Sequence, residues 1–200
     1  MAERGDWTGY YDGQGEREPH ELLLQVLASF DREDRTGVAV DLGCGQGIET
    51  AELLRRGWEV VAIDATEEGI RRLRRRIPDG FASRLRTVVS QMQDVDIPPA
   101  DLVHASFSLP YCPPDVFPRL WRDLRAAIRP EGRFAGELFG DRDTWVATER
   151  DMTFLNVASA RELFDGMELE SFEEEESEDE GWGDEIKHWH VFHAIARRPR

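Results

Sequence analysis

The chain has only two cysteines among its 200 residues, Cys44 and Cys112, which is too few for a disulfide framework. Cys44 lies inside a run of glycines where a disulfide would distort the backbone, so we expect two thiols in a reducing compartment. No apolar run approaches the ~20 residues that cross a bilayer, and no apolar signal-peptide segment follows the first residues. These absences predict a cytoplasmic protein with no membrane partner.

Basic residues are also scarce, because 25 Lys and Arg face 41 Asp and Glu, which gives a net charge of −16. Such a field repels nucleic acid and anionic lipid surfaces, so we expect neither as a partner. The charge is unevenly spread. Five arginines within residues 71–76 predict the solvated face of a helix, and the acidic run 173–180 predicts the end of a strand and an exposed hairpin loop.

A third absence concerns glycine. A dinucleotide-binding turn reads Gly-x-Gly-x-x-Gly, and its last glycine lets the helix pack near a pyrophosphate. Ile48 stands at that place, which disfavours a nicotinamide-dependent oxidoreductase. Residues 41–47 instead read Asp-x-Gly-x-Gly-x-Gly between an apolar run and a helical pattern, and glycines let a ligand approach the backbone. Asp64, 21 residues after Gly43, ends the next apolar run and is placed to accept ribose hydroxyls. An adenosine-containing cofactor is predicted.

Hydrophobic periodicity predicts alternating strands and helices. The predicted strands are residues 37–42, 58–63, 85–89, 101–106, 133–139, 167–175 and 187–196, and the predicted helices are residues 19–30, 48–56, 67–76, 115–128 and 158–164. The last two strands have no helix between them and should form an antiparallel hairpin. We therefore predict one α/β domain over residues 1–200, with a Rossmann-like, seven-stranded, mostly parallel sheet, helices on both faces and a C-terminal antiparallel hairpin. Its parts would be an N-terminal lid and helix (1–30), a cofactor-binding core (37–140) and a C-terminal helix and hairpin (150–200).

The glycine turn and the spaced carboxylate resemble the first motif and ribose-binding acid of the class I S-adenosylmethionine (SAM)-dependent methyltransferases. The resemblance implies that Asp41 and the glycine backbone hold the methionine part of SAM, and that Asp64 holds the ribose. It also implies that Gln91 replaces the family's adenine-binding Asp, with Asp94 as the competing choice. Met92 would supply a backbone N–H to the adenine ring, and Ser106 would offer a backbone carbonyl to the SAM amino group.

The aromatic residues Trp7, Tyr10 and Tyr11 are similar to the leading segment of the tellurite-resistance-like branch of small methyltransferases, where that segment lies over the cofactor. Plain packing on the sheet edge is the alternative. The predicted cofactor-binding residues are Asp41, Gly43, Cys44, Gly45, Gly47, Asp64, Ala65, Gln91, Met92, Ser106 and Tyr11.

The resemblance implies in-line transfer of a methyl group from SAM to a small-molecule acceptor, with S-adenosylhomocysteine (SAH) as product. The Asn-Pro-Pro-Tyr signature of enzymes that methylate DNA bases and glutamine is absent. A thiol or selenol acceptor needs no base, whereas a hydroxyl or amine does, and the candidates are His188, His190 and Tyr111. A non-catalytic SAM-binding or sensing protein is the alternative, and either would be a monomer or a homodimer. We predict no metal, since His188, His190 and His193 lack further ligands nearby in the sequence.

Overall fold

The computed structural model describes residues 7–180 and 186–200, without the side chains of Gln14 and Glu180. Its strands are β1 (Val38–Leu42), β2 (Glu59–Asp64), β3 (Leu85–Val89), β4 (Ala100–Ala105), β5 (Ile128–Gly140), β6 (Phe154–Leu155), β7 (Glu168–Glu180) and β8 (Ile186–Arg197). Its helices are α1 (Thr8–Gln14), α2 (Glu21–Arg32), α3 (Ile48–Arg55), α4 (Glu67–Arg76), α5 (Phe117–Ala127) and α6 (Val157–Glu162). Among the described residues, no helix is long and apolar enough to cross a bilayer.

The strands form one sheet in the order β3-β2-β1-β4-β5-β8-β7. Strands β1 to β5 are parallel, whereas β8 runs antiparallel to both β5 and β7. The predicted α/β fold with its C-terminal hairpin is confirmed. Within residues 7–180 and 186–200 the sheet has eight strands rather than seven, because β6 adds a pair of residues beside the end of β5. Two residues are too few to show the alternation by which a strand is recognised in a sequence.

Helix α5 and strand β5 meet differently from the prediction. The helix was expected to continue to Ile128 and to end at Pro130-Glu131-Gly132, but Ile128 already begins β5. The pairing of β4 with β5 shifts register between Ala100 and Leu102, opposite this segment. A proline in a strand is tolerated at such an irregularity, where the ladder hydrogen bond is missing anyway.

Both faces of the sheet are covered by helices. Alternate residues of β1 illustrate the division, since Ala39 belongs to the core cluster beneath α2, α3 and α4, and Val40 to the cluster beneath α5 and α6. Helix α2 contributes four fully buried side chains to the first cluster: Leu23, Val26, Leu27 and Phe30. A parallel sheet covered on both faces leaves its strand ends as the place for a ligand.

Candidate active site

The glycine turn joins β1 to α3. Gly43 and Gly45 have positive φ angles of 76° and 50°, which L side chains rarely adopt. A Cβ on Gly43 would lie 2.3 Å from Cβ of Ser108, and a Cβ on Gly45 would lie 3.3 Å from the ring of Tyr11. The sequence suggested that these glycines make room for a ligand. The structure shows that they also make room for two side chains of the protein itself.

Asp64 connects the ends of β1 and β2. Its Oδ2 accepts a hydrogen bond from the Gly45 N–H at 2.9 Å, and its Oδ1 accepts from the N–H and the hydroxyl of Thr66 at 2.8 and 2.7 Å. The Tyr11 hydroxyl also donates to Oδ1, at 3.4 Å. Both carboxylate oxygens therefore have protein partners at the point where a ribose is expected, and the carboxylate is buried.

The predicted adenine side lies at the ends of β2 and β3. Ala65 and Gln91 are exposed, and Met92 is half-buried against the core. The N–H of Asp94 donates to the carbonyl of Gln91, so both candidates for the adenine amino group belong to one short turn. The structure thus brings the two candidates, Gln91 and Asp94, together in one turn after β3.

Sequence reasoning missed the partner of Asp41, which is His104 on β4. The two residues are direct neighbours in the pairing of β1 with β4, and both are buried. Oδ1 of Asp41 lies 3.1 Å from Nδ1 of His104, and its Oδ2 accepts from the Thr50 hydroxyl at 2.6 Å. Among the described residues, Nε2 of His104 has no hydrogen-bond partner. A histidine inside an apolar run was visible in the sequence, but the register that pairs it with Asp41 was not.

A buried carboxylate on α3, Glu49, holds the segment that precedes α2. Its Oε1 accepts from Nη1 of Arg17 at 2.7 Å and from the N–H of His20 at 3.4 Å. Burial alone would raise the pKa of Glu49, but the hydrogen bond and charge of Arg17 lower it below its usual value. Burial and the charge of Arg17 lower the pKa of His20.

A second buried carboxylate, Glu137 on β5, supports the loop after β4. Its Oε2 accepts from the N–H of Phe107 at 3.1 Å, and its Oε1 lies 3.7 Å from Nδ1 of His193. Phe107 has a φ of 47°, an uncommon value for a residue with a side chain. Such local strain is typical of functional loops held by their surroundings. The rings of His20 and His193 lie 5.2 and 6.3 Å from that of Phe107.

Helix α1 lies over the glycine turn, and two arginines of α4 hold it there. Arg72 pairs with Asp12 at 2.7 Å, and Arg76 pairs with Glu16 at 2.9 Å. The arginine-rich face of α4 was predicted to be solvated, but these two side chains also bind the N-terminal segment. The Tyr11 side chain of α1 is buried against the glycine turn, in agreement with the expectation that this segment folds back.

The expected acceptor side contains a cluster of aromatic and apolar side chains from four segments. They are Phe107, Tyr111, Phe139, Trp145, Met152, Phe154, Trp189 and Val191. Trp7 joins them, with its ring 4.8 Å from that of Tyr111. Burial raises the pKa of Tyr111, so this phenol stays protonated at neutral pH. Buried Lys187 pairs with Asp143 and places its Nζ 3.7 Å from the ring centroids of both Trp145 and Trp189.

The other two candidate bases belong to the hairpin. His188 contacts Glu176 and Glu178 of β7, whose hydrogen bonds raise the pKa of the imidazole. Nδ1 of His190 accepts from the backbone N–H of Arg142, and its Nε2 lies 3.1 Å from both Nη2 of Arg142 and Oε1 of Glu174. Both histidines thus lie beside glutamates of β7. These glutamates had been predicted to end a strand and to continue into an exposed loop, whereas β7 extends to Glu180. Residues 181–185 of that loop lie outside the described part of the chain.

The order of the parallel strands, the glycine turn after β1, the acid at the end of β2 and the antiparallel last pair together define the class I SAM-dependent methyltransferase fold. Residues 39–132 match the family model described as a methyltransferase domain. The chain is 36% identical over 96 residues to magnesium-protoporphyrin O-methyltransferase of Rhodobacter capsulatus, a match that covers 48% of this chain and 43% of that protein. The chain thus matches less than half the length of that curated relative.

Two solved structures resemble the whole fold. TehB from Haemophilus influenzae superposes with a TM-score of 0.76 at 16% identity, over 96% of this chain and 65% of that one. The 1,6-didemethyltoxoflavin-N1-methyltransferase of Burkholderia thailandensis superposes with a TM-score of 0.66 at 19% identity, over 96% and 85%. The predicted fold is confirmed, and residues 39–132 within it match a methyltransferase domain. The tellurite-resistance-like branch stays a prediction, because identities this low establish the fold alone.

Proposed function

We propose that the chain is a SAM-dependent methyltransferase that acts on a small-molecule acceptor and releases SAH. The observation that carries this proposal is the hydrogen bond between the Gly45 N–H and Asp64, which brings the glycine turn and the ribose-binding acid to one place. Residues 1–200 would act as a single domain, with α1 covering the cofactor.

Two buried polar atoms near the strand ends support the fit of such a cofactor. Oγ of Ser106, after β4, and Nε2 of Gln46, in the glycine turn, have no hydrogen-bond partner among the described residues. Buried polar groups are nearly always paired in folded proteins, so unpaired ones beside a predicted ligand indicate ligand contacts. The glycine turn and Ser106 would hold the methionine part of SAM, and Asp64 would hold the ribose. Gln91 and Met92 would face the adenine.

When bound, SAM supplies a methyl group that its sulfonium has already activated. The protein must then bring the acceptor to about 3 Å from that methyl group, in line with the departing sulfur, and exclude water. The aromatic cluster around Phe107 and Tyr111, joined by Trp7 at the start of α1, offers an apolar wall for this purpose. A dry site also favours a reaction in which the positive charge of the sulfonium disappears.

The charge of the chain supports a small acceptor. A net charge of −16 disfavours a nucleic acid substrate. The enzyme would act in the cytoplasm, as a monomer or a homodimer. The acceptor pocket would be formed by the N-terminal segment, the loop after β4, the loop after β5 and the hairpin, all of which meet in the aromatic cluster.

Thermal unfolding with added nucleotides tests the proposal. A ligand present at 100 times its dissociation constant stabilises a protein by about 2.7 kcal/mol. SAM and SAH should raise the melting temperature, whereas NAD should not. Absence of a shift with both SAM and SAH at millimolar concentration would contradict the proposal. Turnover with a panel of phenols, amines and thiols then separates an enzyme from a protein that only binds or senses SAM.

A further inference from the structure

We propose that His104 is the proton acceptor of this site: its Nε2, at the free end of the Asp41–His104 pair, takes the proton from an O–H or N–H group of the methyl acceptor. The inference rests on the proposed function. It also limits the methyl acceptor to molecules with a reactive O–H or N–H group, since a thiolate or carboxylate has no proton to give up.

The first support is the geometry of the pair. Asp41 accepts the Thr50 hydroxyl at one oxygen, and its other oxygen lies 3.1 Å from Nδ1 of His104. A carboxylate can only accept hydrogen bonds, so Nδ1 carries the hydrogen and Nε2 of the neutral ring is a bare acceptor. An acid that orients an imidazole by its Nδ1, leaving Nε2 available, is the arrangement that activates hydroxyl groups in many enzymes.

The second support is that Nε2 has no partner. His104 is fully buried, and among the described residues this nitrogen makes no hydrogen bond. Leaving a buried polar atom unpaired costs free energy, so a retained one requires an explanation such as catalysis or an ordered water. Ser106, whose hydroxyl oxygen is also unpaired among the described residues, follows β4 two residues after His104.

The third support is the charge around the ring. The charges of Asp41 on β1, Glu49 on α3 and Glu137 on β5 act on His104, and His20, in the segment before α2, interacts with it electrostatically. Burial alone would lower the pKa of His104, but Asp41, followed by the two glutamates, raises it overall. These carboxylates favour one positive charge in the site. A bound sulfonium supplies that charge before the reaction, and an imidazolium supplies it afterwards.

The proton balance follows directly. The acceptor's X–H bond breaks and its proton moves to Nε2 of His104. The electron pair left on X forms the new bond to the methyl carbon as the carbon–sulfur bond breaks, and that bond's electrons return to sulfur. The loss of the sulfonium charge and the gain of the imidazolium charge therefore accompany one another. A general base of this kind contributes about 10²–10⁴-fold to the rate.

Proton counting by titration calorimetry tests the inference without knowledge of the acceptor. SAM and SAH are each titrated into the protein in buffers of different ionisation enthalpy, between about pH 6 and 9, where a histidine titrates. SAM brings the sulfonium and should expel a proton from His104, whereas SAH should not. The number of protons released with SAM should exceed that with SAH by up to about one per site. In His104→Asn this excess should fall to the difference in proton release that comes from the ionisable groups of SAM and SAH themselves. The Asn side chain can still donate a hydrogen bond to Asp41, but it has no nitrogen that titrates.

His188→Asn is the matched control, since it removes a histidine of the hairpin and should behave like the wild type. If neither SAM nor SAH binds the wild-type protein, the proposed function fails. If both bind and His104→Asn keeps the wild-type excess of released protons, the function stands and the role of His104 is overturned. Should His104→Asn fail to fold, the ¹⁵N chemical shifts of the wild-type imidazole, followed against pH in both complexes, decide the question. Equal titration of His104 in the two complexes also overturns the inference.

Discussion

The hydroxyl of Tyr11 lies 3.4 Å from Oδ1 of Asp64 and 3.1 Å from Oγ1 of Thr66. Tyr11 thus contacts the carboxylate that is predicted to hold the ribose of SAM, and its ring packs against Gly45. A ribose hydroxyl and the Tyr11 hydroxyl would bind the same oxygen. Tyr11 of α1 therefore occupies the Asp64 oxygen that the proposed ribose contact would use, so we expect the Tyr11 side chain to move when SAM or SAH binds.

Replacing Asp64 by Asn should weaken SAH binding. The substitution removes the charge that strengthens hydrogen bonds from ribose hydroxyls, and such bonds to a charged group contribute about 1.5–3 kcal/mol. We expect that loss of binding free energy in titration calorimetry. Tyr11→Phe is the control, because it keeps the ring over Gly45 and removes only the competing hydroxyl. It should bind SAH as well as the wild type or more tightly. Unchanged affinity in Asp64→Asn would show that Asp64 does not hold the ribose.

The ion pairs that join Asp12 of α1, and Glu16 just after it, to α4 should control how often α1 opens. Asp12 and Glu16 are largely exposed, so their pairs with Arg72 and Arg76 are individually weak and sensitive to salt. In Arg72→Gln/Arg76→Gln we expect a protease to cut residues 8–16 a few-fold faster, and SAH to dissociate faster, with little change in the melting temperature.

Arg74→Gln is the control for that experiment, because Arg74 contacts Thr87 on β3 rather than α1. It should keep the wild-type cleavage rate. High salt should reproduce the effect of the double variant in the wild-type protein. Equal cleavage of α1 in the wild type and the double variant would show that these pairs do not hold the helix.

The sequence predicted the site wherever the relevant residues are close neighbours in the chain or end successive strands. The glycine turn and Asp64 follow from local pattern and from the rule that parallel strands end at one edge of the sheet. The pairing of Asp41 with His104 could not be predicted, because it depends on the register of two strands some 60 residues apart. For the same reason His188 and His190 were interpreted as candidate bases, since their glutamate partners on β7 follow only from the register of the hairpin.

Helix α1 shows a second limit of local reasoning. Gly9 and Gly13 lower the helix propensity of this short segment by about 1 kcal/mol each relative to alanine. Its helical form is explained by contacts that the local sequence does not contain, namely the ion pairs with α4 and the burial of Tyr11. Tertiary packing decides the structure of short helices more often than propensity does.

Acid should weaken the connection between α2 and the sheet. Arg133, buried on β5, binds Glu33, the residue that follows α2, and Glu170 of β7. Its hydrogen bond lowers the pKa of Glu33 from 4.5 to about 2. Because the folded-state pKa is below the unfolded one, this stabilisation is complete above about pH 4.5 and is lost as the pH falls towards 2.

The variant Glu33→Gln should lose this contribution at neutral pH and show a flatter decline of stability between about pH 5 and 2. We expect a loss of about 1–2 kcal/mol at pH 7, less than the full pKa shift implies, since Glu33 is partly solvated. Urea unfolding at a series of pH values measures both quantities. Parallel pH profiles for the variant and the wild type would show that the Arg133 contact does not shift the titration of Glu33.

The glycine at position 43 can be tested against its neighbour Ser108. In Gly43→Ala the new Cβ would lie 2.3 Å from Cβ of Ser108, on a backbone with a φ of 76°. The backbone costs about 1–2 kcal/mol and the overpacking about 1–3 kcal/mol, so the variant should be clearly destabilised in urea. Adding Ser108→Gly removes the clash, although it also loses the hydrogen bond from Ser108 to Leu42. The double variant should therefore be more stable than the sum of the two single changes predicts.

The same double variant separates two reasons for the glycine. If Gly43 serves mainly to admit Ser108, SAH affinity should recover together with stability once the clash is removed. If Gly43 serves mainly to let the cofactor approach the backbone, stability should recover while affinity stays low, because the methyl group added at position 43 still blocks the ligand. The structure places Ser108 directly against the glycine, so we expect SAH affinity to recover together with the part of the stability that the clash had removed. Calorimetry with SAH on the single and double variants measures the affinity. A stable double variant that fails to bind SAH would show that position 43 must be glycine to let the cofactor approach the backbone.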